Sequence, residues 1–186
     1  MIDFKKIDKS WTLFLDRDGV INHETVGLYI TKWDDFVFYE GVLDALNIFT
    51  QKFGRIIIIT NQRGVSKGLM TEDDLKNIHA NMLKVVEENS GNIHKIYYCL
   101  DKNDDSPNRK PNPGMGFMAK ADFPDIDFSK SIMIGNTMGD MKFGKNIGAS
   151  TIFIPSNRPA PELPDAYTDA IYSSLISVAE AMQKNN

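Results

Sequence analysis

The 186-residue chain has a single cysteine, Cys99, so no disulfide can close within it. No run of roughly eighteen apolar residues occurs, so no segment reads as a membrane span. The opening stretch MIDFKKIDKSW lacks the apolar core of a secretory signal, which makes the cytoplasm the expected location. Excess positive charge is missing too. The 21 Lys and Arg are outnumbered by 25 Asp and Glu, for a net charge of −4. That balance disfavours binding driven by neutralisation of nucleic-acid phosphates. What is present, 42% hydrophobic and 10% aromatic residues, fits a folded globular chain. The length fits one domain over residues 1–186, with a core over about 11–154 and a proline-rich connection and helix over 155–186.

Short apolar runs alternate with amphipathic stretches. Thr12–Leu15 is a first run, and Arg55–Thr60 carries four consecutive isoleucines, as a strand buried on both faces does. Ile93–Cys99, Ser131–Ile134 and Thr151–Ile154 are further strand candidates. Between them, helices are expected from Val42 to Phe49, after an N-cap at Thr71, from Pro113 to about Ala121, and over Asp140–Ile147. The spacing of Ile171, Leu175, Val178 and Met182 predicts a closing helix. This order implies an α/β fold, a three-layer, Rossmann-like, mostly parallel sheet with helices on both faces. In such sheets chemistry collects beyond the carboxyl ends of the strands.

Those ends carry unusual polar residues. The first strand runs into Asp16-Arg17-Asp18-Gly19. A carboxylate whose charge is oriented and partly relieved by a cation can attack phosphorus, and a second one nearby can move the leaving group's proton. Alone, the segment also reads as a polar turn. The isoleucine strand runs into Thr60-Asn61-Gln62-Arg63-Gly64, whose hydroxyl and backbone N–H groups could hold phosphoryl oxygens. Arg109-Lys110-Pro111 puts two cations before a helix start. Gly135-Asn136-Thr137-Met138-Gly139-Asp140 follows the fourth run.

Taken together and in this order, the four segments resemble the signatures of the haloacid dehalogenase (HAD) superfamily of phosphotransferases. The resemblance implies that Asp16 is the nucleophile and a magnesium ligand. Asp18 is then the acid/base and offers its backbone carbonyl to the metal, Thr60 contacts the transferred phosphate, and Lys110 stabilises both nucleophile and phosphate. It implies substrate contacts at Asn61 and Arg109, to which the charge of Arg63 adds a third candidate, and completion of the metal site by Asn136 and by Asp140, the latter orienting the metal shell or the lysine. The family usually has an acid at the position of Asn136. An amide oxygen can still meet a hard cation, but without the charge.

The longer runs Asp16–Asn22, Thr60–Gly64 and Arg109–Met115 are similar to the branch containing D,D-heptose 1,7-bisphosphate phosphatase and histidinol-phosphate phosphatase. Members of that branch lack a separate cap domain, and the short Asn22–Gly41 interval agrees. They usually hold structural zinc in the loop before the Arg-Lys-Pro run. Here that loop retains only Cys99, so no structural zinc is expected. The expected activity is magnesium-dependent hydrolysis of a small phosphate ester, either a sugar phosphate or bisphosphate or a substrate like histidinol phosphate. A phosphate-ester-binding protein with reduced turnover is the reading from another class. A monomer is expected, with no nucleic-acid or membrane partner.

Overall fold

The computed structural model describes residues 2–24, 27–156 and 158–184. Among these, strands β1 (Thr12–Leu15), β2 (Arg55–Asn61), β3 (Lys95–Cys99), β4 (Ser131–Gly135), β5 (Ser150–Phe153) and β6 (Ala170–Ile171) form one sheet in the order β3-β2-β1-β4-β5-β6. Every neighbouring pair is parallel. Six α-helices accompany them among the described residues: α1 (Val42–Lys52), α2 (Arg63–Ser66), α3 (Glu72–Glu88), α4 (Gly114–Asp122), α5 (Met138–Ile147) and α6 (Leu175–Lys184).

Alternation along the strands divides the core into two. Leu13, Leu15, Ile56, Ile58, Ile132 and Ile134 face one layer with residues of α1, α3 and α6. Phe14, Ile57, Ile59 and Met133 face the other, with residues of α4 and α5. Since successive side chains of a strand point to opposite faces, an unbroken apolar run is what a sheet covered on both sides requires. None of the residues of β1 is exposed.

β1 lies between β2 and β4, with Leu15 opposite both Ile58 and Ile134. The chain winds outward from β1 in both directions, so the sheet's topological switch point is at the end of β1. Asp16 follows immediately, its N–H donating to the carbonyl of Ile134.

Several elements differ from the sequence reading at their ends. Ile171 belongs to the edge strand β6, not to the closing helix, which starts at Leu175. Its apolar side chain fits both periods, and pairing with β5 decides the matter. Pro113 is the N-cap of α4 rather than its first helical residue. α5 begins at Met138 because Thr137 and Asp140 form a reciprocal capping box, a signal present in the sequence. The single-turn helix α2 has no counterpart in the sequence reading. Thr71 caps α3 as expected, in a capping box with Asp74. No described helix is long and apolar enough to cross a membrane.

Candidate active site

The carboxyl ends of β1, β2 and β4 and the loop before α4 open into a cavity of about 560 Å³. Asp16, Asp18, Thr60, Asn61, Arg109, Lys110, Asn136 and Asp140 all line it. Arg63 does not. Its guanidinium is tied to Asp104, outside the cavity lining.

At the floor, Lys110 Nζ lies 2.8 Å from Asp16 Oδ1 and 2.6 Å from Asp140 Oδ1. All three side chains are nearly or wholly shielded from solvent. Burial and the adjacent charge of Asp140 push Asp16 up to about 7, against the pull of Lys110. Burial alone would favour a neutral amine on Lys110, but the two carboxylates outweigh it and raise its pKa. The cluster therefore carries an excess of negative charge around Asp16. A cation bound beside Asp16 would relieve it.

Asp140 is committed on both oxygens. Oδ2 accepts from Thr137 N and Oγ1 at 2.9 and 2.7 Å, which leaves Oδ1 to hold Lys110. Gly135 makes room for it, since a Cβ there would come within 2.2 Å of Asp140 Cβ. Asn61 is likewise engaged. Its Oδ1 accepts from Lys110 N and its Nδ2 donates to Lys110 O, each at 3.1 Å, so it clamps the lysine's backbone.

Asp18 stands in a different environment. Arg17 Nη2 donates to both its oxygens at 2.8 Å, Asn22 Nδ2 to Oδ1 at 2.9 Å and Gln62 Nε2 to Oδ2 at 2.8 Å. Burial opposes the charge most strongly, but the Arg17 cation and these donors together lower the carboxyl's pKa. Arg17 itself is wholly buried, with Nη1 3.0 Å from His79 Nε2 on α3. Gln62 also donates to Thr60 Oγ1 at 2.9 Å, which leaves the hydroxyl hydrogen for another acceptor.

Sequence reasoning singles out none of Arg17, Gln62, Asn22 and His79 in these roles. One signal is available: with Leu75, Ile78 and Met82, His79 falls on the apolar stripe of α3. His23 is exposed and lies tilted against Tyr39 at 3.9 Å between ring centres, away from the cavity lining.

The loop between β3 and α4 is closed by hydrogen bonds. Asp101 accepts from Ser106, and Asn112 Nδ2 donates to Ser106 O at 2.9 Å. Asp104 takes both Arg63 and Arg109, so the acidic loop does not present its full charge. Arg109 Nη1 is buried without a partner among the described residues, on the cavity wall.

A hard cation needs oxygen donors. Asp16 offers a carboxylate, and Asn136 offers Oδ1, a buried oxygen with no hydrogen-bond partner among the described residues. No cluster of three or more His, Cys, Asp or Glu able to hold a metal occurs among those residues. The mixed set instead suits magnesium, which keeps several waters and takes few protein carboxylates.

Residues 12–159 match the family model described as polynucleotide kinase 3 phosphatase. The chain is 36% identical over 146 residues to D-glycero-alpha-D-manno-heptose-1,7-bisphosphate 7-phosphatase of Campylobacter jejuni, covering 78% of this chain and 83% of that one. It is 31% identical over 173 residues to the enzyme of the same name from Mycobacterium tuberculosis, covering 92% and 91%. Among solved structures it is similar to D,D-heptose 1,7-bisphosphate phosphatase of B. bronchiseptica complexed with magnesium and phosphate. The TM-score is 0.85 at 25% identity, over 95% of this chain and 99% of that one.

Proposed function

Because this chain belongs to the polynucleotide kinase 3 phosphatase family of HAD-type phosphatases, we propose that it hydrolyses a small sugar bisphosphate through an aspartyl phosphate on Asp16, with magnesium. The observation that carries this reading is the Asp16–Lys110–Asp140 cluster at the floor of the cavity. Asp16, the amide oxygen of Asn136 and the backbone carbonyl of Asp18 would hold magnesium, which would supply positive charge to Asp16 and the phosphoryl oxygens.

Asp16 Oδ attacks phosphorus while the ester P–O bond breaks. Lys110 and the Thr60 hydroxyl hold the phosphoryl oxygens. Asp18 gives its proton to the leaving alkoxide. Water then attacks the aspartyl phosphate, Asp18 takes a proton from it, and phosphate leaves with Asp16 regenerated. To carry a proton, Asp18 has to give up one of the donors that saturate it. Asp140 and Asn61 position Lys110.

Arg109, whose Nη1 has no partner among the described residues and which lines the cavity, favours a substrate with a second anionic group over an amine such as histidinol phosphate. Asp104, which could attract a cation, is already paired with arginines. The chain's net charge of −4 favours a small ester over a polynucleotide end. We take residues 1–186 as one catalytic domain without a cap, working without zinc as a monomer; elemental analysis finding one zinc per chain counts against the metal assignment.

The test is a panel of heptose bisphosphate, histidinol phosphate, a 3′-phosphorylated oligonucleotide and an aryl phosphate, with and without magnesium. Heptose bisphosphate should be turned over best, and Asp16→Asn should abolish turnover of all four. An Asn variant with normal turnover sinks the mechanism. A reading as a binding protein with little turnover gains if the aryl phosphate, too, is hardly hydrolysed at saturating magnesium.

A further inference from the structure

We infer that Glu24, which lies outside the four strand-end signatures, is the positioning residue that turns Asn136 into a magnesium ligand. The inference deepens the magnesium reading above and rests on it.

An amide can face a cation with its oxygen or its nitrogen, and only the oxygen binds. Asn136 is wholly buried. Its Nδ2 donates to Glu24 Oε1 at 2.8 Å and to Ser156 Oγ at 3.1 Å. The opposite turn of the amide would set its oxygen against the Glu24 carboxylate and leave the NH₂ group where the oxygen without a partner among the described residues now lies. Glu24 therefore fixes which end of the amide is free, and the free end is the unpartnered Oδ1.

The same contact raises the oxygen's donor strength. A carboxylate on the NH₂ end draws that group's positive charge and shifts electron density toward the carbonyl oxygen, as linked hydrogen bonds polarise one another. Where an aspartate would put negative charge next to the metal, this chain puts it one bond network further out. Arg158 Nη2, 3.2 Å from the same Glu24 oxygen, steadies the carboxylate. Gly19, at φ +82°, leaves the room: a Cβ there would lie 1.9 Å from Asn136 Nδ2 and 2.9 Å from Glu24 Oε1.

The test measures magnesium affinity by calorimetry, without any phosphate ester, on the wild type, Glu24→Gln, Asn136→Asp and the double variant. Thermal melts in chelator check that each is folded. Glu24→Gln removes the charge and, because a glutamine amide can donate as well as accept, no longer fixes the turn of the Asn136 amide; binding should weaken by about ten- to a hundred-fold, the usual effect of altering a partner that orients a ligand. In the Asn136→Asp background the same change should cost nothing or tighten binding. There the introduced glutamine amide can donate to the introduced carboxylate, whereas Glu24 repels it. Glu24→Asp keeps the charge but shortens the reach, and should behave like Glu24→Gln in the wild-type background.

No loss in Glu24→Gln overturns the inference. So does an equal loss in both backgrounds, which means that Glu24 acts without Asn136. A wild-type chain that takes up no magnesium overturns the metal reading and this inference with it. Magnesium binding that survives with no hydrolysis leaves the inference standing and removes the proposed activity.

Discussion

Asp16 and Asp18 are two residues apart on one strand end, yet their surroundings push them in opposite directions. On the Asp16 side, burial and a second carboxylate, Asp140, raise the acid to about 7. On the Asp18 side, burial is outweighed by a buried guanidinium and neutral donors from Asn22 and Gln62, and the acid is held below its ordinary value. Divergent environments around paired acids are how one site assigns different tasks to the same functional group. One acid shares its only cation, Lys110, with Asp140 among the described residues and can be completed by a metal. The other already has its cation, in Arg17, and must exchange donors before it can carry a proton.

The largest effect should come from removing the cation that the Asp16 side does have. Lys110→Met leaves Asp16 and Asp140 buried without it, and unpairing a buried charge typically costs about 3–5 kcal/mol. Denaturant unfolding at pH 8 should show a loss of that order, along with lost turnover. An unchanged midpoint would mean that the ion pairs at 2.6 and 2.8 Å do not persist in solution.

Breaking the other side at its acid should slow the chemistry and also lower stability, because among the described residues Asp18 is the one carboxylate paired with the buried Arg17. Asp18→Asn removes the proposed proton carrier, and general acid help is worth roughly a hundred- to ten-thousand-fold. The loss should be large for an alkyl ester and small for an aryl ester, whose leaving group needs little protonation. Equal losses for the two substrates would assign the acid elsewhere.

The two sides also differ in how far the sequence announces them. Asp16, Lys110 and Asp140 are named by motifs at strand ends, and the strands are legible because Ile56–Ile59 and their neighbours are apolar without a break. The Asp18 side depends on Arg17 meeting His79 across 62 residues of sequence. Arginine is almost never fully buried unless paired, so nothing in a one-dimensional reading puts Arg17 inside. Its partners are made by the packing of α3 on the sheet, which periodicity predicts as a face but not as a register. Asn61 and Arg63 show the same limit. The motif marks them as polar, and only the fold reveals that their side chains are taken up by Lys110 and Asp104.

A finer break of the Asp18 side is Arg17→Lys. It keeps the charge but loses the fork that meets both carboxylate oxygens and His79. Stability should fall by about 1–3 kcal/mol, the cost of leaving a buried partner unsatisfied. Turnover of an alkyl ester should fall more than that of an aryl ester, because Asp18 loses its orientation. A uniform fall would point to general disturbance of the site instead.

The smallest effect concerns the far end of that network. Burial, then the charge of Arg17, lower His79 to about 3, so the folded protein holds it as neutral imidazole, accepting from Arg17 Nη1. In the unfolded chain it titrates near 6.5. Between these values the unfolded state binds a proton that the folded state refuses. This contribution is fully present above about pH 6.5, and it is lost progressively as the pH falls toward 3. A glutamine in place of His79 can still accept from Arg17 through its amide oxygen but has no proton to take up. In chelator at pH 7.5, His79→Gln should therefore be close to wild type or slightly less stable. At pH 5 the variant should have gained about 2 kcal/mol relative to wild type, since each pH unit in the window is worth about 1.4 kcal/mol. Asp16, raised to about 7, gains stability over part of the same range, but it does so in both proteins and drops out of their difference. Urea titrations of the pair at the two pH values provide the measurement. A stability gap that stays constant with pH would mean that His79 can be protonated in the folded protein, so that the Arg17–His79 contact does not hold in solution.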